Sequence, residues 1–223
     1  MSPSTPRRTG LLLYGHPFSS YTWKALIALY EADLPFEFRN IAGDEFPENA
    51  AEFQDFWPVG KFPLLVDDGI PIMESSIIVE HAAPSLIPTA PEAAKEVRLL
   101  DRVFDNHVMG QMQVVVAEHI PFITPSPDQG RIDRAKDTLD KIYPWLDERL
   151  SGRTWAAGED FSLADCAGAP ALFYADWVHP IPDDLSDLAA YRARTLERPS
   201  VARCVEEARP YRHLFPLGAP DRD

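Results

Sequence analysis

Gly60-Lys61-Phe62-Pro63-Leu64-Leu65-Val66, followed by Asp67-Asp68-Gly69 and Ile70-Pro71-Ile72-Met73-Glu74-Ser75-Ser76, decides the reading of this chain. A short apolar run starts at a proline, turns at Asp-Asp-Gly and returns. It ends in an acid and two hydroxyls where a helix should begin. The pattern predicts a β-hairpin that delivers a polar cluster to a helix N-terminus. Unpaired backbone N–H groups and the positive end of the helix dipole gather there, and both attract a carboxylate. The spacing suggests a site for a small peptide-like anion.

Working outward, residues 11 to 86 alternate strand and helix. Leu11–Tyr14 is a short apolar run, and Trp23, Leu26, Ile27 and Tyr30 follow at helical spacing. Residues 35–41 alternate with period two, as a half-buried strand does, and Pro47 to Trp57 suits a short helix. Ser75 to Leu86 closes the unit as a helix. The order β-α-β-α-β-β-α implies an α/β layer structure with a mixed sheet. Two prolines within Ile87-Pro88-Thr89-Ala90-Pro91 then mark a linker. Beyond it the pattern is all-helical. Val97, Leu100, Phe104 and Val108 form one stripe, and Ile132, Ala135, Leu139, Ile142, Leu146 and Leu150 another. Asp183–Thr195 and Ser200–Ala208 read as further helices. Ser162 with Asp165 reads as a capping box. The expected division is residues 10–86 and 92–212.

At 223 residues the chain can bury two modest cores. Its net charge of −14 is spread along the sequence, with no basic run beyond Arg7-Arg8, which argues against nucleic acid as a partner. No apolar stretch reaches the roughly 18–20 residues that cross a bilayer. The polar start Met1–Arg8, followed only by Leu11–Tyr14, does not read as a signal peptide. Cys166 and Cys204 lack metal or disulfide spacing, and the six histidines are scattered, so no metal is expected. These features imply a cytoplasmic protein.

Lys61-Phe62-Pro63 and Glu74-Ser75, at this interval and in this element order, resemble the soluble glutathione transferases over roughly residues 10–210. The resemblance implies a thioredoxin-like first domain that binds glutathione and an all-helical second domain that forms the electrophile pocket. It implies a cis Phe62–Pro63 bond and backbone pairing of Phe62 with the cysteinyl part of glutathione. Glu74 and Ser75 would hold the γ-glutamyl group, and Lys61 the glycyl carboxylate. Glutathione is then a co-substrate, and a homodimer is expected.

The chemistry needs glutathione as a thiolate, whereas a free thiol has a pKa of about 8.5. A hydroxyl donor near a helix N-terminus lowers that value. Counting back from Ile27-Ala28-Leu29, the resemblance to serine-type members points to Ser19. Ser20, Thr22 and Tyr14 stay open. With no cysteine before residue 166, thiol chemistry by the protein itself has no nucleophile in this loop. His16 reads as structural or exposed, with substrate polarisation the other reading. His107, Met109, Gln111 and Met112 are candidates for the electrophile wall. Ser19-Ser20 also resembles glutathione-dependent isomerases, whose next residue is a cysteine where this chain has Tyr21. The expected reaction is conjugation or dehalogenation of a hydrophobic electrophile. The alternatives are isomerisation or glutathione binding without turnover.

Overall fold

The first strand, β1 (Leu11–Gly15), is the centre from which the fold grows. The computed structural model describes residues 10–42 and 45–223, so the polar start Met1–Arg8 lies outside the described residues. The inward side chains of β1, Leu11 and Leu13, are at most 2% exposed. β2 (Phe36–Asn40) pairs with β1 in parallel, Leu13 opposite Phe38. β3 (Leu64–Asp67) pairs with β1 antiparallel, Leu13 opposite Leu65, and β4 (Ile70–Met73) follows as the second arm of the hairpin. The sheet order is β2-β1-β3-β4. Asp68 and Gly69 turn the hairpin, both with positive φ.

Helix α1 (Ser20–Glu31) crosses from β1 to β2. It carries the fully buried Trp23, Ile27, Ala28 and Leu29, each large apolar side chain contributing roughly 1.5–3 kcal/mol of burial. Gly15 lets it approach closely, because a Cβ there would lie 2.7 Å from the Thr22 side chain. Helix α2 (Pro47–Phe56) lies on the other sheet face, where Phe53 packs with Tyr14, Leu64 and Val66. Helix α3 (Ser75–Ala82) follows the hairpin directly. This thioredoxin-like layer matches the expected order.

The rest of the described chain is helical: α4 (Pro91–Val103), α5 (Gly110–Glu118), α6 (Gln129–Leu150), α7 (Leu163–Val178), α8 (Ser186–Leu196) and α9 (Pro199–Ala208). Every residue of α7 is buried, and it packs against α1, α4 and α5. Its capping box is formed, with Asp165 Oδ2 accepting from the Ser162 N–H at 2.9 Å. Asp165 Oδ1 also accepts from the Ala156 N–H and the Tyr191 hydroxyl, both at 2.8 Å.

One departure matters for the site. Between α4 and α5, residues Phe104–Met109 form a π-helical turn, which rotates the helix face relative to regular α spacing. The expected wall residues shift in consequence. Met112 lines the cleft, whereas Met109 is fully buried and the Gln111 amide turns back to the Asn106 carbonyl. His107 is exposed and outside the lining; Asn106, Gln113 and Val116 line the cleft.

Candidate functional site

A cleft of roughly 1010 Å³ opens between the sheet layer and the helices. One side is the stretch from which the fold was read. The Phe62–Pro63 peptide is cis, Pro63 is buried, and the Lys61 and Phe62 side chains are exposed at the rim. Glu74 has φ 70°, a left-handed conformation costly for a side-chain-bearing residue, and it holds the carboxylate in the open. It occupies the N-cap of α3 without a side-chain cap bond, so the helix start keeps free backbone donors. Ser75, the first helical residue, is 7% exposed and lines the cleft. Lys61, Phe62, Pro63, Glu74 and Ser75 all border this one space.

The turn between β1 and α1 closes the same cleft. Ser19 is the N-cap of α1, its Oγ accepting from the Thr22 N–H at 3.2 Å. Acting as acceptor leaves its own O–H free to donate. Ser20 also lines the cleft, its Oγ accepting from the Gln113 amide at 3.3 Å, which likewise leaves its O–H free. Thr22 is fully buried, and Tyr14 is enclosed beneath α2 with its hydroxyl away from the cleft lining. Burial, helped by Glu52, pushes the Tyr14 phenol well above its ordinary value. Of the four hydroxyls left open by sequence, Ser19 and Ser20 reach the cleft.

The turn is pinned from several directions. The Ser19 N–H donates to the His16 carbonyl at 3.0 Å, Trp23 Nε1 to the Pro17 carbonyl at 2.7 Å, and the Tyr174 hydroxyl to the Phe18 carbonyl at 3.0 Å. Phe18 packs edge-on to Tyr174 and Phe215. This aromatic wall continues into Val116, Ile120, Leu214 and the exposed Phe122 and Ile123. Tyr21 faces the cleft as well. Burial pushes its phenol up to about 12, and its hydroxyl makes a long 3.4 Å bond to the Asp105 carbonyl.

Behind Tyr21 lies a charged cluster that sequence reasoning missed. Lys24 of α1 is fully buried and pairs with Asp101 at 2.5 Å and Asp105 at 2.7 Å, while donating to Ser76 Oγ at 2.8 Å. Arg102 bridges the same two acids, at 2.6 Å each. Burial raises the Asp105 pKa, and the neighbouring Lys24 only partly offsets it. A lysine on the buried face of an otherwise apolar helix, with acids four residues apart beyond the linker, was the signal available.

Both cysteines are buried, and burial pushes their thiols well up, which leaves them inert. Among the described residues no cluster of three or more His, Cys, Asp or Glu side chains could hold a metal, and no helix is long and apolar enough to cross a membrane.

Residues 13–84 match the glutathione S-transferase N-terminal domain family, and residues 108–199 match its C-terminal domain family. The chain is 29% identical to the glutathione S-transferase GstB of Escherichia coli K12, over 87% of this chain and 97% of that protein. It is 25% identical to a stringent starvation protein A homolog of Coxiella burnetii, over 91% and 94%. A glutathione S-transferase from Methylobacillus flagellatus KT, solved with GSH bound, superposes with a TM-score of 0.76 at 25% identity, covering 87% of this chain and 98% of that one. With both halves matched in order and the cis-proline hairpin, helix start and capped turn converging on one cleft, the chain belongs to the soluble glutathione S-transferase family.

Proposed function

We propose that this glutathione S-transferase adds the thiolate of bound glutathione to an uncharged, apolar electrophile, by conjugation or with loss of halide. Glutathione lies along Phe62–Pro63, its γ-glutamyl carboxylate at the Ser75 helix start and its ammonium at Glu74. Lys61 takes the glycyl carboxylate. Ser19 donates to the sulfur and lowers the thiol pKa. The observation that carries this reading is the Ser19 hydroxyl. It caps α1 as an acceptor and still has a proton to give, beside the dipole of that helix.

The electrophile half is aromatic and aliphatic. The lysine and arginine among the described cleft residues are Lys61, at the proposed glutathione side, and Arg102, held by two carboxylates. A dicarboxylate substrate would find no available cation there. That argues against the isomerase reading, as does Tyr21. The exposed Ile77 of α3 and Leu99 of α4 favour a homodimer.

Some relatives are named stringent starvation protein A homologs and not transferases, and glutathione binding without turnover is the second reading. Retention on glutathione resin followed by assay with a chloro-nitroarene and benzyl halides separates the two. The transferase reading requires turnover of at least one of them. Retention with none turned over supports the second reading, and failure to be retained removes both.

A further inference from the structure

His16 is held too specifically to be an incidental loop histidine. Its Nδ1 accepts from the Phe18 N–H at 3.0 Å, so in the neutral ring the proton sits on Nε2. The ring stands edge-on to Tyr211, with centroids 5.1 Å apart, and it lines the cleft. Burial lowers the imidazole pKa, and the carboxylate of Glu45 only partly opposes this, which keeps the ring neutral. Nε2–H is therefore a fixed donor without a protein acceptor among the described hydrogen bonds. The turn that carries it is also fixed, through the Trp23, Tyr174 and Ser19 bonds to its carbonyls.

His16 and Ser19 are the two ends of that turn, joined by the 3.0 Å bond from the Ser19 N–H to the His16 carbonyl. Ends of such a turn lie within about 7 Å of each other. His16 and Ser19 thus border the same cleft from the two ends of one short turn.

We propose that His16 is a second catalytic donor, whose Nε2–H meets the oxygen that gathers negative charge when the thiolate adds to a conjugated carbonyl electrophile. The inference rests on the transferase reading and adds a residue to its machinery. In the step, the sulfur lone pair forms the C–S bond at the β-carbon. The C=C pair shifts to become the new enolate double bond, and the carbonyl π pair moves onto oxygen. His16 keeps its proton and donates a hydrogen bond to that oxygen, and the α-carbon then takes a proton from water. A neutral imidazole suits this task because it stabilises the developing charge without changing its own protonation.

The test compares His16→Asn and His16→Gln with the unaltered protein, using a phenyl-substituted enone and benzyl bromide as electrophiles. Asn keeps an acceptor for the Phe18 N–H but withdraws the outer donor; Gln places an amide N–H near the Nε2 position. Removing a donor to a developing oxyanion costs about 100-fold or more where the donor is fully engaged. His16→Asn is expected to lower kcat for the enone by about 10- to 100-fold, with a several-fold smaller fall for benzyl bromide. The KM for glutathione and the pKa of the bound thiol stay unchanged, and His16→Gln recovers part of the enone rate. Equal falls for the two electrophiles, a shifted thiol pKa, or no rescue by Gln would overturn the proposal. The unaltered protein's own turnover of benzyl bromide reports separately on the transferase reading, since it does not depend on the carbonyl donor.

Discussion

The two sides of the cleft are built by different means. The proposed glutathione side is written in backbone: a cis peptide before β3, a left-handed Glu74, a helix start without a side-chain cap, a turn closed on itself. The electrophile side is written in side chains brought from far apart, Phe18, Val116, Phe122, Tyr174 and Phe215. Backbone devices fix hydrogen-bond positions and so suit one side to a single peptide, as the proposed glutathione reading requires. A wall of apolar side chains excludes water and charge and leaves shape to choose among ligands. One side is specific and the other permissive.

The buried cluster of Lys24, Asp101 and Asp105 fastens the two sides, and removing it is the harshest test of the comparison. Lys24→Met leaves two carboxylates buried with Arg102 as their remaining cation. Breaking such a pair costs about 3–5 kcal/mol. Chemical denaturation should show a loss of that order. A loss under about 1 kcal/mol would mean that the sides are held by apolar packing of α1 on α7 alone.

Smaller changes should separate the sides. Glu74→Gln removes the charge proposed to meet the ammonium and should raise the KM for glutathione about tenfold, as expected for loss of one charge-assisted bond, with the electrophile KM unmoved. Phe122 is 87% exposed at the mouth, so Phe122→Ala should raise the electrophile KM only a few-fold and leave glutathione untouched. Steady-state kinetics with each substrate varied in turn reads both. If either variant moves both constants together, the division into two sides fails.

The smallest expected effect lies away from the cleft. Burial pushes the Glu31 carboxyl up, but hydrogen bonds from Arg198 and Ser200 more than reverse this and leave its pKa lowered. Its contribution is thus present above the ordinary glutamate value and lost as pH falls through the lowered one. Glu31→Gln should cost about 1 kcal/mol at pH 7 and less at pH 3, read by thermal unfolding at both. It should change neither KM.

The same division governs what could be read from the sequence. Pro63, Glu74 and Ser75 lie in one short segment, so their spacing was enough to expect them at one cleft, and the resemblance supplied the roles proposed for them. Ser19 was proposed by counting back from Ile27-Ala28-Leu29 on the resemblance to serine-type members, and it borders the cleft together with Ser20, whereas Thr22 and Tyr14 do not. Thr22 points under Gly15, and Tyr14 points to the far face of the sheet. Alternation in a strand does not say which face meets the cleft. The electrophile wall was misjudged at His107, Met109 and Gln111 because a π-turn at Phe104–Met109 breaks the regular period on which the reading relied. Lys24 was overlooked because its partners lie more than seventy residues away, and only tertiary packing brings them to it.

Whether Ser19 holds glutathione as a thiolate is read most directly by ultraviolet titration of the thiolate in the bound complex. The bound thiol should titrate well below the roughly 8.5 of a free thiol, rising toward that value in Ser19→Ala, with kcat at neutral pH lower by about 100-fold. An unchanged titration curve in Ser19→Ala, with the variant folded and glutathione still bound, would contradict it.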